Sequence, residues 1–127
     1  MLFPGTFSRH RGIRFILSHA GGTVPFLAGH IARLQVRPEF APAVPDGVMF
    51  ELKRLFLDTV LSANELAFSA LLKFVAPTQV LFGRDYPFAP EATMTASVKG
   101  LSELALPPET LHAIERANAL RLFNRST

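Results

Sequence analysis

Three short apolar runs punctuate the chain, at residues 13–17, 55–60 and 80–82. Each ends in a turn signal and leads into a stretch with helical periodicity, the pattern of strands buried in a parallel sheet. After the first run, Val24, Leu27, Ala28, Ile31 and Leu34 recur at helical spacing, and Thr23 stands where an N-cap is expected. After the second, Ser62 and Glu65 have the S-x-x-E spacing of a capping box, with Ala67, Ala70, Leu71 and Phe74 as the expected buried face. Pro77 closes that helix. The third run leads through a loop with Pro87 and Pro90 into a helix predicted at 92–104. Pro107 and Pro108 then open another helix that runs through Ile114. A proline-rich segment, 38–47, is the one long loop, and no internal repeat is visible.

Strands that alternate with helices imply a parallel sheet with helices outside it. Ile16 lies 41 residues before Leu57, and Leu57 lies 25 before Phe82. A (β/α)8 barrel devotes about 31 residues to each unit, so these look like consecutive barrel units; a doubly wound sheet fits the same count. Either fold places its chemistry at the carboxyl ends of the strands. There "RFILSHAGG" puts His19 directly after the first run, and "FGRDYPF" puts Asp85 directly after the third. Gly21 and Gly22 are the residues that permit a positive φ and a tight turn behind His19. Asp58, inside the second strand, is expected to hydrogen-bond neighbouring backbone and is left outside the catalytic set.

Composition narrows the class. A chain of 127 residues with 49% apolar residues and a mean hydropathy of +0.27 is rich for its size and suits a piece of a larger core. The absence of cysteine excludes a disulfide framework and thiolate metal sites, which points to a reducing, cytoplasmic setting. No segment approaches the roughly 18 unbroken apolar residues of a membrane span, and no leader pattern opens the chain, so no membrane partner is expected. The net charge is +3 and the pI near 10.0. The basic residues are nonetheless spread through Arg9, Arg33, Arg54, Arg84, Arg116 and Arg125 with no stripe, so nucleic acid is not expected as a partner. Most of the twelve phenylalanines are assigned to the core; Tyr86 and Phe88, beside Asp85, are the aromatics placed near a substrate.

Together "RFILSHAGG", "LFLDTVLSANELAFSALLKFV", "QVLFGRDYPF" and "IERANALRLF" resemble the last three strand units and C-terminal helices of the amidohydrolase-related family. That family includes aminocarboxymuconate-semialdehyde decarboxylase and the decarboxylases of salicylate-type acids. The resemblance implies a partial TIM barrel over residues 1–127. It also implies a divalent metal at the barrel mouth, zinc in most members and manganese in some. Asp85 matches the aspartate ligand after the last strand, and His19 matches a histidine that works beside the metal as acid or base. These residue types suit the roles, since a carboxylate is a hard oxygen ligand and a histidine titrates near neutral pH. Arg84 departs from the small residue usual there; its cation is set to pair with a substrate carboxylate, to repel the metal, or to point away.

The family's remaining metal ligands are an H-x-H pair and a third histidine, and the sequence holds no H-x-H. Its other histidines are His10, in the basic approach to the first strand, and His30 and His112, within predicted helices. The expectation is therefore a C-terminal portion of a metal-dependent carboxy-lyase acting on an aromatic or unsaturated carboxylic acid, or of a hydrolase, inactive alone and binding no metal tightly. The competing expectation is a catalytically silent fragment that serves as an interaction module. In either case two open sheet edges and an uncovered inner face predict self-association.

Overall fold

A computed structural model describes residues 1–123; Arg125, one of the scattered arginines, lies outside them. Three strands pair in parallel in chain order: β1 (Ile16–Leu17), β2 (Phe56–Asp58) and β3 (Val80–Leu81). Ile16 pairs with Phe56 and Leu17 with Leu57, then Leu57 with Val80 and Asp58 with Leu81, so all three carboxyl ends share one rim. The strands are shorter than the apolar runs because the flanking amides leave the ladder. The Ile13 amide turns back to the His10 carbonyl at 3.0 Å, and the Phe82 amide donates to the Ile114 carbonyl at 3.1 Å.

Two short helices precede the first two strands: α1 (Thr6–Arg9) and α3 (Val48–Leu52). Longer helices follow each strand: α2 (Val24–Ala32) after β1, α4 (Glu65–Phe74) after β2 and α5 (Glu91–Glu103) after β3. The C-terminal helical run is α6 (Pro108–His112), a π-helical turn (Ala113–Ala117) and α7 (Asn118–Phe123), which carries the helix predicted to end at Ile114 nine residues further. The proline-rich segment 38–47 is not one open loop, since it contains a 3-10 turn, Ala41–Ala43, and hands over directly to α3.

The Ser62–Glu65 capping box does not form. Asn64 is the N-cap, its Oδ1 accepting from the Ala67 amide at 3.0 Å, and Glu65 is the first helical residue. Leu61, at φ 51°, turns the chain ahead of Ser62, and the helix starts two residues later than the S-x-x-E reading requires. The buried face of α4 is accordingly Phe68, Leu71 and Phe74, while Ala70 is exposed. Thr23 occupies the N-cap position of α2 without a capping bond from its side chain. Of the phenylalanines, Phe7, Phe68 and Phe74 are buried, whereas Phe26, Phe50, Phe88 and Phe123 are exposed.

One core joins the sheet to its helices, with Val48, Leu57, Leu71, Val80 and Ile114 fully enclosed. Each such side chain contributes about 1.5–3 kcal/mol of apolar burial. Leu57 and Val80 are register partners on the helix-covered face. Side chains alternate along a strand, so Ile16 and Phe56 belong to the opposite face, where Ile16 is 40% exposed. No helix is long and apolar enough to cross a membrane among the described residues.

Candidate functional site

At the carboxyl rim the chain leaves β1 through an unusual turn. Ser18 is still extended, and then His19, Ala20, Gly21 and Gly22 take φ values of 57°, 54°, 78° and 59°. The two glycines hold positive φ without penalty, as read from the sequence. His19 and Ala20 do not, since left-handed backbone at a residue with a Cβ carries a strain of about 1–2 kcal/mol. Gly21 has a second reason to lack a side chain: a Cβ there would lie 2.8 Å from Leu57 Cδ2. Turn bonds close the geometry, from the Gly21 amide to the Ser18 carbonyl at 3.0 Å and from the Gly22 amide to the His19 carbonyl at 2.8 Å.

Asp58 supplies the remaining restraint. Its Oδ1 accepts from the His19 amide at 2.8 Å and from the Val60 amide at 3.0 Å. It hydrogen-bonds backbone, as expected, and that backbone belongs to the candidate acid–base residue 39 positions away. The His19 side chain is exposed, with no hydrogen-bond partner among the described residues.

The third strand ends under similar control. Thr59 is buried, and its hydroxyl donates to the Gly83 carbonyl at 3.3 Å while accepting from the Gly83 amide at 3.1 Å. Two residues on, Asp85 is half-buried at φ 64°. Its carbonyl, not its carboxylate, closes the following turn, accepting from the Phe88 and Ala89 amides at 2.8 and 2.9 Å. The carboxylate is therefore not spent on an Asx turn. Strained backbone at both His19 and Asp85 is the kind of feature that clusters at functional sites.

The other candidates differ in setting. Arg84 is exposed and makes no ion pair among the described residues. Tyr86 and Phe88 are 77% and 87% exposed, so neither forms a closed pocket with Asp85 here. His10 ends α1, His30 lies in α2 and His112 ends α6, so none of them directly follows a strand. No three His, Asp or Glu side chains gather among the described residues. A catalytic zinc takes about three protein ligands, so these residues alone do not make a complete site. A cavity of about 370 Å³ lies instead at the amino ends of the strands, lined by Arg11, Arg14, Phe15, Glu51, Arg54 and neighbours. There the fully buried Glu51 binds Arg11 at 3.0 Å and Arg54 at 3.1 Å. Sequence reasoning missed this ion cluster because Arg11 lies 40 positions from Glu51.

Three parallel strands in sequential order, each followed by a helix, with candidate chemistry on the carboxyl rim, define a segment of an α/β protein consistent with part of a barrel. The amidohydrolase family model matches residues 1–125. The chain belongs to that family. The 6-methylsalicylic acid decarboxylase of Aspergillus aculeatus is 36% identical over 137 residues, an alignment covering 98% of this chain and 40% of the relative. A solved amidohydrolase II superimposes with a TM-score of 0.86 at 22% identity, over 98% of this chain and 40% of its own. A dihydroxybenzoic acid decarboxylase from Polaromonas, solved with bound manganese and the inhibitor 2-nitroresorcinol, gives a TM-score of 0.78 at 17% identity, over 98% and 38%. The chain thus spans about two fifths of the length of the relatives it matches.

Proposed function

We propose that this chain forms the last three strand–helix units and C-terminal helices of a metal-dependent decarboxylase of aromatic carboxylic acids. The observation that carries the reading is the placement of His19 and Asp85 after β1 and β3, on one rim, each in left-handed backbone. Kinship supports it, since the relative from Aspergillus aculeatus decarboxylates 6-methylsalicylic acid. In this reading Asp85 contributes one ligand to a divalent-metal site, zinc or manganese, whose remaining ligands lie outside these residues. His19, with Asp85, manages the proton: the ring carbon keeps the electron pair of the broken bond to carbon dioxide and takes up a proton in its place. Asp58 fixes the amide from which the imidazole projects, and Arg84, Tyr86 and Phe88 border the substrate, Arg84 meeting its carboxylate. A cytoplasmic setting belongs to the same reading, and the chain alone is inactive.

The test is a chimera in which this chain replaces the matching two fifths of the Aspergillus aculeatus enzyme. Carbon dioxide release from 6-methylsalicylate that is lost in His19→Ala and Asp85→Ala supports the assignment. A folded chimera that loads metal yet releases none would favour a silent interaction module. A chimera indifferent to both substitutions would sink the site.

A further inference from the structure

The helical layer carries a groove of about 390 Å³ between α2, α3 and α4. These helices flank β2, the middle strand, so the groove lies inward of both edges of the sheet. Helices form the outer ring of a barrel, and a groove among them stays open when further strands complete the sheet.

Its two ends differ in chemistry. Phe26, in the first turn of α2, is 87% exposed and marks the end nearest the carboxyl rim, from which α2 runs back. Met49 and Phe74 wall the groove further along, and Gly29 and the exposed Ala70 give it a floor without bulk. Gly29 is not required by the chain's own packing. It lies inside α2, where glycine is poorer than alanine, yet a Cβ there would meet nothing within 4 Å. The space that a side chain would take is the groove.

Two cations gather at the other end. Lys53 closes α3 directly before β2, and Lys73 lies in the last turn of α4, ahead of the 3-10 turn (Pro77–Gln79) that leads into β3. Both therefore stand level with the amino ends of the strands. Each suits the C-terminal end of its helix. Among the described residues neither ammonium has an ion pair, and no carboxylate lines the groove.

We propose that the groove binds an apolar monocarboxylate, with the carboxylate between Lys53 and Lys73 and the hydrocarbon laid over Gly29 and Ala70 toward Phe26. Charge complementarity sets the class. Cations confined to one end, with apolar surface along the rest, match a ligand that has one anionic head and an apolar body. A partner helix with acidic residues along its length would meet cations at one end only. A second copy docked here about a two-fold axis would bring two such lysine pairs together, and like charges repel. The site is separate from the carboxyl rim and stands without the decarboxylase reading.

Titration of the full chain with octanoate, followed by amide NMR, tests this. Saturable shifts centred on Gly29, Lys53 and Ala70 are expected, and binding that weakens at high salt. Octanamide keeps the apolar body without the charge and is expected to bind about tenfold more weakly. Replacing Lys53 and Lys73 together by glutamine is expected to erase that difference. Gly29→Leu fills the groove and is expected to abolish binding of both probes; should that variant unfold by circular dichroism, Ala70→Leu, at an exposed helical position, is read in its place. No saturable shift at these amides, equal binding of octanoate and octanamide, a preference that survives the double glutamine variant, or undiminished binding with the groove filled would each overturn the proposal. So would a glutamate-rich amphipathic peptide that shifts these amides where octanoate does not, which gives the groove to a partner helix, or a sedimentation dimer dispersed by Gly29→Leu, which gives it to a second copy.

Discussion

Replacing Asp58 by alanine removes the acceptor of two amides at once, those of His19 at 2.8 Å and Val60 at 3.0 Å. A hydrogen bond to a charged group contributes about 1.5–3 kcal/mol, so the pair sets an upper bound near 6 kcal/mol on that figure. Two features lower it. Asp58 is half-buried and His19 exposed, so water reaches the freed His19 amide and replaces part of what is lost there, whereas Val60 is buried. The turn is also free to relax, and relaxation lets His19 leave its left-handed conformation and recover about 1–2 kcal/mol of backbone strain. The balance is a loss of about 2–3 kcal/mol in Asp58→Ala.

Asparagine separates the acceptor from the charge. Asp58→Asn retains an Oδ1 in the same place and gives up only the charge assistance, so its expected cost is about 1 kcal/mol. Urea unfolding followed by circular dichroism measures both variants. Amide exchange of His19 and Val60 locates the effect, with faster exchange at these two positions in the alanine variant and little change in the asparagine one. An Asp58→Ala chain that matches the unmodified one within about 0.5 kcal/mol, a difference typical of neutral surface changes, or an asparagine variant as damaging as alanine, would refute this role for Asp58.

A tighter steric test lies in α5, where Gly100 passes so close to the Ala63 carbonyl that no Cβ fits. Gly100→Ala is expected to destabilise by about 1–3 kcal/mol despite its better helix propensity, and a more stable variant in urea would show that the helix does not pack there. For the isolated chain, elemental analysis after dialysis is expected to find well under one zinc or manganese per molecule, because Asp85 alone cannot supply the three protein ligands a catalytic zinc generally takes. About one tightly held metal per chain, lost in Asp85→Ala, would reveal a site built from other residues.

What could be read from the sequence were the features written in consecutive residues. The apolar runs and the helices after them survive in β1 to β3, and "HAGG" announced a positive-φ turn that is present at Gly21 and Gly22. Local rules failed where tertiary contacts decide. S-x-x-E is a sound capping signal, but the turn at Leu61 and the extended Asn64 gave the cap to a different residue. The extra length of the C-terminal helix and its π-helical turn depend on Phe82 and Val80, which lie more than thirty residues upstream and are invisible in a local window. In the candidate site, His19 and Asp85 were legible as types at strand ends. Their strain was not, since both are ordinary residues whose φ is set by partners in β2 and in the following turn.

β2 therefore acts on the candidate site although neither proposed active residue belongs to it. Consecutive residues of a strand direct their backbone groups to opposite neighbours, and here the side chains of Asp58 and Thr59 divide the same way. Asp58 reaches the His19 amide beyond the end of β1, while Thr59 holds both backbone groups of Gly83 beyond the end of β3. Gly83 has no room for a side chain without a shift of its neighbour, because a Cβ there would lie 2.6 Å from Val60 Cγ2. One strand thus bonds the turn that carries His19 on one side and the approach to Asp85 on the other. Any repacking of β2 that tilts Asp58 or Thr59 moves one candidate residue relative to the other, which makes the D-T pair as consequential for the candidate site as His19 and Asp85 themselves.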